Sequence, residues 1–457
     1  MMKHTDPILI VKKRLKWFYP GMKVKRYISM VIVGVMIFSM GAVFIIGKNI
    51  PRDVYLYVTT YIRQGVVGIT LAILGGVLIF YGIRNLNRRF VNLLMPGVAD
   101  RLVDKVYEEA YLQHGVKVVG VGGGTGMHSL LRGLKEYTSN ITAVVTVSDD
   151  GGSSGQIREE MKILPPGDIR QCLAALADSE TAMVELFQKR FKGDGFLKNH
   201  TVGNVLLAAM AEMKGDFYQA VQELSKVLAV RGRVLPSTLD SVTLCAELKD
   251  GTIVRGETNV TESLSPVQRV FLSPSNSRAL PEAINALQAA DAVIIGPGSL
   301  YTSIIPNLLV PGIRSAIQKT NALKIYVCNI MTQPGETDSY SAADHAAQIA
   351  KILGQNSIDV IIVNRAYPVL FIEKYKEQGA TPVEIDIENL RKLGIHRIVQ
   401  EDLLLEEEVV RHNPKKLAAL IITILKEEHR MPPFSIPSEL DKWIEKLKIA
   451  ATGLKGL

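Results

Sequence analysis

Two glycine-rich runs in this chain have the residue types that handle anions. Gly120 to Gly126 reads Gly-Val-Gly-Gly-Gly-Thr-Gly and puts Gly122, Gly123, Gly124, Thr125 and Gly126 where an apolar strand hands over to a helix. Glycine lets a backbone pass close to a ligand, and a helix N-terminus offers free N–H groups to negative charge. The spacing is not G-x-G-x-x-G, and no Lys-Ser/Thr pair follows as it would in a P-loop. Gly296 to Ser303 repeats the design after a second apolar run, supplying Gly296, Gly298, Ser299, Tyr301 and Thr302.

A third run, Ser148 to Gly155, places Asp149, Asp150, Ser153 and Ser154 after another apolar stretch. Asp149 follows Gly126 by 23 positions, near the ~20-residue offset of a ribose-binding acid in dinucleotide folds. The carboxylates could instead hold Mg2+ against phosphates, with Asp149, Asp150 and Asp168 as ligands. An Asp-rich turn would use the same residues with no ligand at all. In Pro165 to Arg170, Asp168 suits a helix N-cap, while Arg170 stands in a first turn against the helix dipole, as an anion-binding group would. His200 and Asn204 lie beside a strongly apolar helix, and a structural histidine is the plainer use there. Cys328 to Thr337 carries amide and acid groups that could read a base or sugar, although a connecting loop explains them as well. No nucleophile–base pair is evident, which favours a binding or regulatory protein over a catalyst.

The elements that must position these groups follow from periodicity. Continuous apolar runs at 117–121, 141–148, 292–295, 324–330 and 359–363 read as strands buried on both faces. Helical patterns fall near 127–137, 168–177, 204–213, 216–230, 281–289, 341–353 and 413–427. The alternation predicts an α/β fold, a Rossmann-like doubly wound and mainly parallel sheet. Residues 242–257 interrupt it as an inserted β-hairpin turning at Asp250-Gly251. Strand C-termini in such sheets face the ligand crevice, and that is where the glycine and acidic runs fall.

The 457 residues are 47% apolar, and the net charge of +8 is unevenly spread. Residues 1–90 hold 14 lysines and arginines against 2 acids, a net +12, which leaves 39 basic and 43 acidic residues elsewhere, a net −4. A nucleic-acid partner is therefore not expected for the main domain. Tyr27 to Gly47 and Gln64 to Ile83 contain no charge and are long enough to cross a hydrocarbon core. Basic residues precede the first and follow the second, so the positive-inside rule predicts a two-helix membrane anchor with both flanks and the main domain cytoplasmic. The expected divisions are 1–84 for the basic N-terminus and anchor, 85–114 for an amphipathic connector broken at Pro96-Gly97, 115–430 for the α/β domain, and 431–457 for an amphipathic helix. Cys172, Cys245 and Cys328 are too scattered for a disulfide scaffold or a cysteine zinc site.

Taken in order, GGGTG at 122–126, SDDGGSSG at 148–155, PPGDIR at 165–170, VGNVLLAAM at 202–210, GPGSLYTS at 296–303 and CNIMTQPGET at 328–337 resemble the gluconeogenesis-factor branch of the CofD-like proteins. Asn199-His200-Thr201 stands where a Gly-His-Ser-like run is expected. The resemblance implies binding of UDP-N-acetylglucosamine or a related nucleotide sugar and a part in controlling cell shape and envelope synthesis during gluconeogenic growth. It implies no resident cofactor. The related transferase branch implies the alternative, a Mg2+-dependent transfer of a phospho-lactate-type group to a deazaflavin-like acceptor. A nicotinamide dehydrogenase is disfavoured by the glycine spacing. The membrane is the second expected partner, and a homo-oligomer the expected assembly.

Overall fold

The computed structural model describes residues 24–46, 64–94 and 112–431, except 179, 180, 193, 196, 264 and 408. The chain divides into two units, 1–109 and 110–457. The first contains helices α1 (Val24–Ile46) and α2 (Gln64–Leu94). Both are long and apolar enough to cross a membrane; at 1.5 Å per residue, α1 spans about 35 Å. They pack in antiparallel backbone contact because glycine lines the seam. A Cβ on Gly41 would fall 2.6 Å from Ala72 N, and one on Gly75 would fall 2.5 Å from Phe38 N. Small residues two turns apart allow this approach in spanning helices. Helix α2 runs unbroken from the span to Leu94, so the connector's first part continues that helix rather than forming a separate one. Residues 95–111 and the expected helix at 431–457 lie outside the described residues, apart from Met431.

In the second unit, β1 (Val118–Gly122), β2 (Ile141–Val145), β3 (Arg233–Pro236), β7 (Ala292–Ile295), β8 (Leu323–Val327), β9 (Val360–Asn364) and β10 (Arg397–Glu401) form one parallel sheet. Its order is β10-β9-β8-β7-β1-β2-β3. The chain steps outward from β1 through β2 to β3, then returns to β7 on the other side of β1 and steps outward again. The strand order thus reverses between β1 and β7, where doubly wound sheets open their ligand crevice. The register sets Val118 opposite both Ile141 and Ala292, so the three strands end nearly level.

The five strands expected from apolar runs are all present. The two missed, β3 and β10, are the edges. β10 reads Arg-Ile-Val-Gln-Glu and is only half-buried, so it lacks the continuous apolar signature. Helices α3 (Gly124–Leu134), α4 (Gly152–Met161), α5 (Gly167–Leu176), α6 (Thr181–Gln188), α7 (Val202–Lys214) and α8 (Phe217–Val227) follow β1 and β2. The hairpin is confirmed as β4 (Thr243–Leu248) with β5 (Ile253–Arg255), joined by α9 (Glu257–Thr261) and by β6 (Val267–Ser273) as a third antiparallel strand. Helix α10 (Pro281–Gln288) leads into β7, and a π-helical turn at Leu300–Ile304 leads into α11 (Ile305–Leu309) and α12 (Pro311–Lys319). The remainder comprises α13 (Ala342–Leu353), α14 (Ile372–Glu377), α15 (Ile387–Lys392), the ribbon β11 (Leu404–Glu406) and β12 (Val410–His412), and α16 (Pro414–Glu427).

Candidate functional site at the glycine loops

The two glycine runs meet at the β1/β7 reversal. Gly124 has φ +64°, a conformation that favours glycine. The neighbouring glycines serve contacts within the protein. A Cβ on Gly126 would fall 2.4 Å from the Pro297 carbonyl oxygen, so the second loop lies directly on the first. A Cβ on Gly123 would fall 2.2 Å from Asp168 Oδ2, so its absence admits that carboxyl. Asn307 donates from Nδ2 to the carbonyls of Gly122 and Ser303, tying the loops together.

The second loop differs from the expected anion cradle. The Gly298 N–H donates to Asn329 Oδ1 at 3.2 Å. The Tyr301 N–H and the Thr302 hydroxyl both donate to the Glu336 carboxyl, at 3.3 Å each. Glu336 therefore occupies the turn's N-terminal donors, where a bound anion was expected. The Tyr301 side chain turns inward, its hydroxyl 2.8 Å from that of Tyr340. Tyr301 and Thr302 are internal supports here, and both are buried. Ser299 stays at the loop surface and accepts from Gln333 Nε2 at 2.8 Å.

The acidic run also divides its labour. Asp149 folds back on its own loop, accepting the Gly151 N–H at 2.9 Å and a bond from Ser154. Asp150 turns away and accepts the backbone N–H groups of Glu257 and Thr258 and the Thr258 hydroxyl, capping α9. The three carboxylates considered for Mg2+ do not converge, and among the described residues no group of three His, Cys, Asp or Glu side chains could hold a metal ion.

Asp168 is not the N-cap of α5. Pro166 holds that position, and the Asp168 carboxyl reaches across to accept the Gly124 N–H. Burial, then the Asp149 charge, push Asp168 up to about 7. Burial also raises Asp149. Glu336 is pushed to about 7 by burial, and Glu257 to about 10 by burial and then by Asp149, Asp168, Glu336 and Asp150. At neutral pH Glu257 keeps its proton and becomes a donor beside carboxylates. Glu336 is the acid of the Cys328–Thr337 run, whereas Glu257, the first residue of α9 after the hairpin, carried no signal in the sequence.

Arg170, Asn204, Ser153 and His200 join three of the motifs in one hydrogen-bonded line. Arg170 Nε donates to Asn204 Oδ1 at 2.9 Å, and Asn204 Nδ2 donates to Ser153 Oγ at 3.0 Å. Because guanidinium can only donate, the amide orientation is set. Ser153 then accepts from Asn204, and its own proton can point to His200 Nδ1, 2.9 Å away. The fold thus brings a serine hydroxyl and an imidazole into hydrogen-bond contact, a pairing the sequence did not show. A Cβ on Gly203 would fall 2.8 Å from Arg170 Cδ, so this glycine clears the arginine's path. Further into α3, His128 is pushed down to about 4 by burial, then by Arg132, Arg411, Lys135 and Arg170. One side of the site is rich in carboxyls and the other in cations. A cleft of about 230 Å3 opens between Thr125, Gly298, Ser299, Gln333, Arg411 and His412.

Comparison with known proteins decides the family. The profile of the family described as 2-phospho-L-lactate transferase CofD matches residues 118–404. The chain belongs to the CofD family, in its gluconeogenesis-factor branch. It is 50% identical to the gluconeogenesis factor of Bacillus subtilis over 312 residues, which are 68% of this chain and 98% of that one. A relative from Clostridium acetobutylicum is 44% identical over 425 residues, 91% of this chain and 93% of that one. This longer match exceeds what the 110–457 unit alone can supply, so it takes in part of the N-terminal unit. A crystal structure of a UPF0052-family protein from Bacillus halodurans matches with TM-score 0.65 and 46% identity, covering 67% of this chain and 98% of that one. A CofD-family domain of this kind therefore folds without the two apolar helices.

Proposed function

We propose that this chain is a regulator that binds UDP-N-acetylglucosamine, or a closely related nucleotide sugar, at the inner face of a membrane in which α1 and α2 anchor it. The observation that carries the reading is the junction of two glycine loops at the β1/β7 reversal, with cations on one side and carboxyls on the other. The diphosphate suits the first loop and the Arg170 side. Sugar and ribose hydroxyls suit carboxylates such as Asp149 as acceptors and the protonated Glu257 as a donor. The cleft is smaller than the ~300–1,000 Å3 usual for such ligands, so the nucleotide sugar would fill it in part and extend along the sheet edge. A role in cell shape and envelope synthesis would follow from sensing the supply of such a precursor. The transferase reading keeps one point in its favour, the description of the matched family.

Calorimetry on the 110–457 unit tests both. Binding of UDP-N-acetylglucosamine that survives EDTA supports the regulator. Binding of a deazaflavin that requires Mg2+, with no response to the nucleotide sugar, would replace it with the transferase.

A further inference from the structure

The N-terminal hairpin gathers arginine at one of its ends. Arg26 precedes the apolar stretch of α1, and Arg84, Arg88 and Arg89 follow that of α2. Antiparallel packing brings these positions together. A Cβ on Gly82 would lie 3.2 Å from the Tyr27 carbonyl oxygen and 2.7 Å from Val31 Cγ2, so the start of α1 lies beside the turn that leads into Arg84. Arg26, Arg84 and Arg88 are exposed, and Arg84 and Arg88 share a face one turn apart. Neither helix contains an aspartate or glutamate. Tyr81, also exposed, and half-buried Tyr27 mark the same level with rings suited to the boundary between headgroups and acyl chains.

We propose that this end of the hairpin is a binding site for the headgroup phosphate of an anionic phospholipid, gripped by Arg26 from α1 and Arg84 from α2. The proposal rests on the reading that α1 and α2 span the membrane. Guanidinium meets phosphate oxygens through paired N–H bonds, so two arginines held on different helices select a phosphodiester by geometry as well as charge. The glycine seam keeps their backbones close and makes this a discrete site. A basic pocket between spanning helices on the cytoplasmic side is the arrangement that recognises acidic headgroups. Exposed apolar side chains such as Ile32, Met36, Ile73 and Val77 offer the acyl chains a surface along the same hairpin.

The test uses the full chain, purified in mild detergent, titrated with phosphatidylglycerol or phosphatidylcholine and read by native mass spectrometry. The native chain should retain phosphatidylglycerol and release phosphatidylcholine. The Arg26→Gln/Arg84→Gln double variant should bind phosphatidylglycerol about 30-fold more weakly, from two basic residues each contributing to anionic attraction. Equal retention of the two lipids, or undiminished retention by the double variant, overturns the site. Displacement of the lipid by glycerol 3-phosphate at similar concentration would also overturn it, assigning the arginines to a soluble phosphate ligand. Flotation with phosphatidylcholine vesicles separates the two ideas. A chain that floats but does not select phosphatidylglycerol defeats only the headgroup site, whereas one that does not float defeats the anchor. Flotation of the double variant shows that it still inserts.

Discussion

Replacing Asp150 with alanine separates a structural carboxylate from a ligand-binding one. Asp150 accepts the N–H groups of Glu257 and Thr258 at 3.0 Å each and the Thr258 hydroxyl at 3.1 Å. The contact depends on Gly256, whose φ is +94° and whose Cβ would fall 2.2 Å from Asp150 Oδ2. A capping side chain contributes about 0.5–2 kcal/mol, and a hydrogen bond to a charged group about 1.5–3 kcal/mol. Solvent reaches part of this cap, so Asp150→Ala should cost about 2 kcal/mol. At the ~2–4 °C per kcal/mol typical of domains this large, the midpoint should fall by about 4–8 °C. Asp150→Asn, which keeps one acceptor oxygen, should lose roughly half as much. Thermal unfolding of the 110–457 unit measures both variants, and calorimetry with UDP-N-acetylglucosamine measures binding. Affinity should change less than stability, because the carboxylate points at α9. An unchanged midpoint together with lost binding would return Asp150 to the ligand and leave α9 without this cap.

Gly126→Ala places a methyl 2.4 Å from the Pro297 carbonyl oxygen, so it should destabilise by about 1–3 kcal/mol and weaken nucleotide-sugar binding, as unfolding curves and titration will report. Asp168 titrates at about 7 in the folded protein against 3.8 ordinarily, so the folded state holds a proton the unfolded chain has lost. Its contribution to stability therefore falls as pH rises from about 4 to about 7 and is flat above that. The midpoint of Asp168→Asn relative to the native protein should rise across that window, and a flat difference would contradict the assignment. Arg170→Leu leaves Asn204 Oδ1 without its charged donor, so the Ser153–His200 contact should loosen; the His200 ring resonances, followed by NMR, should shift. A protease added outside intact cells should leave the 110–457 unit undigested if the basic flanks face inward.

Much of this fold follows from local physics that can be read along the chain. Continuous β-branched runs at β1, β2, β7, β8 and β9 are buried on both faces wherever they sit in a parallel sheet, and the Asp250-Gly251 turn closes β4 on β5. The uncharged stretches of α1 and α2 are equally local, since length and composition alone make them candidates for crossing a membrane. Of the edge strands, β3 escapes the same reading because Arg-Val-Leu-Pro is too short a run, and β10 because it is half-buried and carries polar residues. Within the site, the glycine and acidic runs mark where the crevice forms, but not what their side chains do there. Glu257 reaches it from the start of α9, which carries no motif, and Glu336 comes from the Cys328–Thr337 run, whose spacing does not show that its carboxyl takes the Tyr301 N–H. Asp150 and Tyr301 turn away from it to support other elements. Ser153 meets His200 across 47 positions of sequence. The difference has a physical cause. Periodicity and turn chemistry depend on a few neighbouring residues, whereas the direction and protonation of a buried polar group depend on whichever distant donor, charge or apolar surface the fold brings against it.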